Sequence, residues 1–349
     1  MKRFKIGNIN VGKDFPPVII VEIGINHNGN IDNAIAIADS AINAGAEIIK
    51  HQTHIPQDEM SLEAKKIYPA HVKKKESIYK IIEKCALSEK NEKKLMNYIK
   101  SKKKIFISTP FSKLAVDRIK KFDVPAIKIG SGECNNFYFV EYICKLKKPI
   151  IMSTGMNTLK SVSKSVSIIR KHKIPYALLH CVNLYPTDHK IVKINCIEEI
   201  QKAYPDAVVG FSDHTSSIYS SLGAASIGAK IIEKHYVDDK IKRIGPDVSS
   251  SMDKRELNQL IIGSKIIFES FGKGKFPHKK EKNTSNFAFQ SVTATKDIKK
   301  NEKLSFENIN LRRPGNGDFN VLSFSKLLGK KASRNIKANN QIKSKDVKK

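Results

Sequence analysis

Short runs of branched aliphatic residues recur along the chain at 18–25, 47–50, 104–108, 126–129, 149–152, 176–180, 208–211 and 230–233. Between them lie longer stretches in which apolar positions return every three or four residues, among them 31–44, 112–121, 158–171, 195–203 and 216–227. The first pattern predicts strands and the second predicts amphipathic helices, so the order alternates strand and helix. Eight such units over about 270 residues predict an α/β chain with a parallel (β/α)8 TIM barrel. A doubly wound sheet is the alternative, but no G-x-G-x-x-G follows any of the runs.

The polar residues gather where the runs end. These ends read Glu22-Ile23-Gly24-Ile25-Asn26-His27, Lys50-His51-Gln52-Thr53-His54, Ser108-Thr109-Pro110-Phe111, Lys128-Ile129-Gly130-Ser131-Gly132-Glu133, Ser153-Thr154-Gly155-Met156 and His180-Cys181-Val182-Asn183-Leu184-Tyr185. The last two runs end in Phe211-Ser212-Asp213-His214-Thr215 and Glu233-Lys234-His235-Tyr236. Parallel barrels build their sites at the carboxyl ends of the strands, so this crowding predicts an active rim. A gap of nearly sixty residues between the second and third runs, from His54 to Lys103, predicts an insertion on the same rim.

Beyond the predicted barrel, 1–271, a basic polar stretch at 272–286 reads as a linker and 287–349 as a small strand-rich domain. That domain carries a repeat. Ala294-Thr295-Lys296-Asp297-Ile298 is echoed thirty-eight residues later by Ala332-Ser333-Arg334-Asn335-Ile336, with Asn301 and Asn339 at the turn of each copy. Asparagine tolerates positive φ, so two pseudo-symmetric β units are expected.

Composition narrows the classes. Of 349 residues, 40% are hydrophobic and 28% charged, which suits a globular chain. No apolar stretch reaches the length of a spanning helix and the start has no signal-peptide core, so no membrane partner and a cytoplasmic location are expected. Five cysteines without C-x-x-C spacing point to reduced thiols. The net charge of +29 is spread over the whole chain without interleaved aromatics, which disfavours a nucleic-acid partner. A basic field of this kind still gathers anionic small substrates.

Among the rim residues, His214 and His235 end neighbouring strands and are candidates for a divalent metal site, the alternative being two satisfied surface histidines. Lys50 and Lys128, with Thr109, Ser131, Ser212 and the Gly130-Ser131-Gly132 turn, suit a small carboxylate and a phosphate. Either lysine could instead form a Schiff base or a rim salt bridge. Glu22 and Glu133 are candidate acid and base groups. Asn183, Tyr185, Gln52 and Asp247 offer the mixed donors and acceptors of a polyol site, and Cys134 reads as a small buried residue.

Taken together, Glu22 to His27, Lys50 to His54, Phe106 to Phe111, Lys128 to Asn136, Ser153 to Asn157, Ser212 to Thr215, Gly245-Pro246-Asp247 and Arg313-Pro314-Gly315-Asn316-Gly317 resemble the bacterial N-acetylneuraminate (sialic acid) synthases. The resemblance implies a TIM barrel fused to an antifreeze-like SAF domain of β-clip type. It also implies a domain-swapped homodimer in which each small domain caps the partner's barrel. Such enzymes are transferases that condense phosphoenolpyruvate with N-acetylmannosamine and water, using Mn2+ with Mg2+ or Co2+ as substitutes, and release phosphate. Carried over, His214 and His235 hold the metal, and Lys50, Thr109, Lys128, Ser131, Asn183 and Ser212 hold phosphoenolpyruvate. Gln52, Glu133, Tyr185 and Asp247 hold the sugar, Arg313 reaches it from the partner subunit, and Glu22 lies near the metal and its water. One departure touches the acceptor: Pro69-Ala70-His71-Val72 stands where the family usually shows Pro-Gly-Asn-Ala. A legionaminic or pseudaminic acid type of synthase is therefore the neighbouring reading.

Overall fold

The structure, a computed structural model, describes residues 3–69 and 76–348, so of the departure at 69–72 only Pro69 is described. An antiparallel hairpin of β1 (Phe4–Ile6) and β2 (Ile9–Val11) comes first. There follow β3 (Val18–Gly24), β4 (Ile48–Thr53), β5 (Ile105–Pro110), β6 (Ile127–Ile129), β7 (Ile150–Ser153), β8 (Tyr176–Cys181), β9 (Val208–Asp213) and β10 (Ile231–His235). These eight strands close into a parallel barrel in which β10 returns to pair with β3. Each predicted run is a strand.

The predicted helices form as Ile31–Asn43, Lys113–Lys121, Leu159–Lys171, Cys196–Ala203 and Tyr219–Ser226. Their starts are set by capping: the Asn30 side chain accepts from the backbone N–H of Asp32 and Asn33, and Thr158 and Ser161 cap one another. Further helices at Ile78–Cys85 and Glu89–Ser101 lie in the insertion, and Lys254–Ser270 lies after β10. No helix of the described residues is long and apolar enough to cross a membrane.

Strand periodicity of two decides what faces the barrel axis. Val18, Ile20, Ile48, Ile107, Ile151 and Leu179 belong to one buried cluster inside the barrel. The same phase carries Glu22, Lys50, Thr109, Lys128, Ser153, Cys181, Ser212 and Glu233 inward one layer higher. The apolar core thus ends in a polar ceiling.

The opposite phase faces the helices and contains buried charge of its own. Lys234 and Asp213 are both fully buried and 3.2 Å apart. Lys234 also donates to the Thr215 carbonyl at 2.7 Å, while Asp213 accepts from Ser221 at 2.6 Å and from the Thr215 N–H at 2.8 Å.

The chain divides into two compact units, Met1–Gly272 and Lys273–Lys349. Part of the stretch expected as a linker is helical, with turns at Lys279–Glu281 and Lys282–Ala288. In the smaller unit β11 (Ser291–Ala294) pairs antiparallel with β12 (Ile309–Arg312). The repeat closes reciprocally. Asn339 N–H donates to the Ala294 carbonyl at 2.8 Å and Asn301 N–H to the Ala332 carbonyl at 2.9 Å. Ala294 and Ala332 in turn donate to the carbonyls of Asn340 and Glu302, both at 2.9 Å. Both asparagines have positive φ, 70° at Asn301 and 64° at Asn339, as the turn reading requires.

Removing one member of the buried pair leaves the other charge without compensation. Asp213→Ala should therefore cost about 3–5 kcal/mol in urea unfolding of the larger unit. Lys234→Met, which leaves the carboxylate its two other donors, should cost less.

Candidate active site

The barrel register brings the rim residues into rows. Glu22 is the Cα partner of both Lys50 and His235, Ser212 of Glu233 and Cys181, and Gln52 of Thr109. A register shift in β3 between Glu22 and Gly24 accompanies this. Bulges re-aim side chains, and here the Glu22 carboxylate folds back to accept the Gly24 N–H at 2.5 Å.

Two ammonium groups form the centre. Lys50 contacts the Glu22 carboxylate and donates to Thr109 at 3.0 Å, and Lys128 donates to Ser153 at 2.7 Å and to the Ile129 carbonyl at 2.9 Å. Between them lies Glu233, 3.8 Å from Lys50 and 3.7 Å from Lys128, accepting from Ser212 at 3.1 Å. Burial pulls the Lys50 ammonium down to about 7, against the Glu233 carboxylate. The Glu22 oxygen that does not accept from Gly24 lies against Lys50, and the Glu233 oxygen that does not accept from Ser212 is buried 3.8 Å from the same ammonium without a hydrogen bond.

Ser131 and Asn183 meet at the next strand ends. Ser131 accepts from the Gly155 N–H at 3.1 Å, and a side chain at Gly155 would collide with the Asn183 amide oxygen. Glycine there lets the loops after β6, β7 and β8 converge.

The two histidines stand together, ring centroids 5.5 Å apart. His214 Nδ1 faces the Val182 carbonyl at 2.9 Å, which puts the hydrogen on Nδ1 and the lone pair on Nε2. His235 Nδ1 is buried without a hydrogen-bond partner. Burial lowers His214 to about 4 and His235 well below the usual histidine range, so both rings are neutral at pH 7. Tyr185 stacks on His214 at 4.2 Å with its hydroxyl 3.2 Å from Nε2, and Asp247 lies 3.6 Å from His235 Nδ1. Tyr185 and Asp247, read from the sequence as sugar contacts, thus flank the histidine pair. Burial pushes the Asp247 carboxyl up to about 7 against the pull of Lys50.

Elsewhere on the rim Gln52 contacts His54, and Glu133 has a buried oxygen over Gly130 without a hydrogen-bond partner. Arg313 belongs to the smaller unit. Cys134 is buried, as expected, and burial pushes its thiol up to about 12.

Residues 19–276 match the NeuB family, and residues 289–348 match the SAF domain. The chain belongs to the NeuB family. It is 34% identical to the N,N'-diacetyllegionaminic acid synthase of Campylobacter jejuni over 93% of this chain and 98% of that protein. With the pseudaminic acid synthase of the same species the identity is 33%, over 98% and 99% of the two chains. The crystal structure of the N-acetylneuraminic acid (sialic acid) synthetase from Leptospira borgpetersenii, in complex with citrate, superposes with a TM-score of 0.74 at 29% identity, covering 81% of this chain and 95% of that one.

In this NeuB-family barrel, Glu233 is the central residue that the sequence reading passed over. It lies two residues before His235 and so on the same face of β10, a parity that would have found it.

Burial pushes the Glu133 carboxyl up to about 7, opposed by its own backbone amide and by Lys128. The fold therefore favours the protonated form. This stabilisation is complete below about 4.5, the ordinary glutamate value, and is lost as pH rises through about 7. Relative to Glu133→Gln, the wild type should lose up to about 3 kcal/mol of unfolding free energy across that window.

Proposed function

We propose that this NeuB-family chain condenses phosphoenolpyruvate with an N-acetylated sugar aldehyde and water, giving a nine-carbon sugar acid and phosphate. The observation that carries the proposal is the convergence of Lys50 and Lys128, with Thr109 and Ser212, on one buried point beside a pair of neutral imidazoles. Buried ammonium and hydroxyl groups suit a compact dianion or trianion, and Ser131 and Asn183 extend the cradle. The enzyme is in this reading a homodimer, with Arg313 of the partner subunit meeting the sugar.

His214 Nε2 and the unpartnered His235 Nδ1 fit a borderline divalent cation, Mn2+ in this reading. Among the described residues no group of three or more His, Cys, Asp or Glu suits a metal, which leaves the other positions to water and substrate oxygens. When bound, the ion supplies Lewis-acid polarisation of the sugar aldehyde.

The chain's own residues do the rest. Lys50 and Lys128 hold phosphoenolpyruvate with C3 facing the sugar C1, so that binding energy supplies orientation. The C3–C1 bond forms as the enol's electron pair attacks the aldehyde, leaving positive charge at C2 beside Glu22 and Glu233. Water adds at C2, and Glu22 takes the proton it releases and passes one to the sugar C1 oxygen. The tetrahedral centre then breaks its C–O bond to phosphate.

For the acceptor, N-acetylmannosamine is the first reading, supported by the sialic acid synthetase likeness. A diacetamido-trideoxy sugar is the second, favoured by the 34% identity with a diacetyllegionaminic acid synthase. Phosphate release from phosphoenolpyruvate with Mn2+, compared for the two sugars, chooses between them. Chelation or His235→Ala should abolish release. Full turnover after chelation, or borohydride trapping of a keto acid on Lys50, would replace the reading with Schiff-base chemistry.

Mixing tests the dimer. If Arg313 serves the partner's barrel, inactive Lys50→Met and Arg313→Ala chains mixed and reassociated should recover about a quarter of wild-type activity by random pairing. No recovery above the separate chains would confine Arg313 to its own subunit.

A further inference from the structure

His54 and Glu59 take no part in the chemistry above, yet they are held as firmly as any residues on the rim. His54 is 4% exposed and stacks on Phe111, centroids 4.3 Å apart and planes 11° from parallel. Its Nδ1 lies 3.0 Å from both carboxylate oxygens of Glu59, whose side chain is 8% exposed. Glu59 in turn accepts the Ile55 N–H at 3.2 Å, and its short helix, Pro56–Glu59, is tied to Leu114 through Asp58 at 2.9 Å. The other ring nitrogen, Nε2, lies 3.0 Å from the Gln52 amide oxygen.

Both nitrogens therefore face oxygens that accept. The Gln52 amide oxygen can only accept, so Nε2 carries the hydrogen of that bond, and the Glu59 carboxylate holds the ring from its other side. The direction of the second bond fixes the amide. With Oε1 engaged, the Gln52 NH2 is turned the other way, and no described residue accepts from it. Gln52 shares the inward phase of β4 with Lys50.

Resting on the synthase reading, we infer that His54, clamped by Glu59, is a positioning residue: it orients the Gln52 amide so that its NH2 donates to an oxygen of the acceptor sugar. The phosphoenolpyruvate cradle is built from other residues. The pair is thus a determinant of acceptor affinity alone.

The test is steady-state kinetics of the full-length enzyme with Mn2+, varying phosphoenolpyruvate and each sugar separately, on variants whose melting curves show them folded. His54→Phe keeps the ring on Phe111 and removes both nitrogens, while Glu59→Gln keeps the volume and removes the charge. Each should raise the acceptor KM by about tenfold, the worth of one oriented hydrogen bond, and leave the phosphoenolpyruvate KM unchanged. His54→Phe should add nothing in a Gln52→Ala background, because the two act through one bond. Gln52→Glu should lose as much acceptor affinity as Gln52→Ala, since a carboxylate still receives His54 but cannot donate.

Additive effects of His54→Phe and Gln52→Ala, an unchanged acceptor KM, or parallel movement of both KM values would overturn the inference while leaving the synthase reading intact. A wild type that turns over neither sugar would remove that reading, and this inference with it.

Discussion

Two ammonium groups held out of water at the top of a barrel have to be matched by negative charge at close range. Desolvation otherwise drives them to lose their protons. Glu233, between Lys50 and Lys128, and Glu22, against Lys50, supply that match. The rest of the site follows from keeping these four side chains in register. The parallel pairing sets Glu22 beside Lys50 and Ser212 beside Glu233. The apolar layer of Ile20, Ile48, Ile107 and Ile151 beneath excludes water from one side.

The histidines answer a different constraint. Their burial keeps them neutral, which a metal ligand needs and a salt-bridge partner does not. The Val182 carbonyl selects the tautomer of His214, and the Asp247 carboxyl lies within reach of His235. One rim thus carries a cluster of paired charges and a pair of neutral rings, each maintained by its neighbours rather than by its own residue types.

Much of this was legible in the chain. Every apolar run became a strand because a strand buried on both faces has no room for polar residues, and that leaves an unmistakable local trace. Rim residues followed from where each run ended. Asn301 and Asn339 could be placed at positive φ because that conformation restricts residue type within one position. Pairs distant in sequence were less visible. Glu92, on a helix of the insertion, anchors His51 at 3.1 Å, and nothing in either local spacing links them. The clustering of Tyr185 and Asp247 on the histidines, away from Gln52, likewise depends on how the loops after β8 and β10 return. Glu233 was readable by parity from His235, two residues on along the same strand.

The reciprocal closure of the small unit bears on how the protein is made. Each copy of the repeat bonds across to the other: Ala294 to the turn at Asn339, and Ala332 to the turn at Asn301. A ribosome that has delivered the first copy has delivered the β11–β12 pair but not the turn at Asn339 to which Ala294 is joined. The barrel sequence, complete long before, can collapse in the meantime. Synthesis thus imposes an order on maturation, with the cross-bonds of the smaller unit closing only after its second copy has been joined.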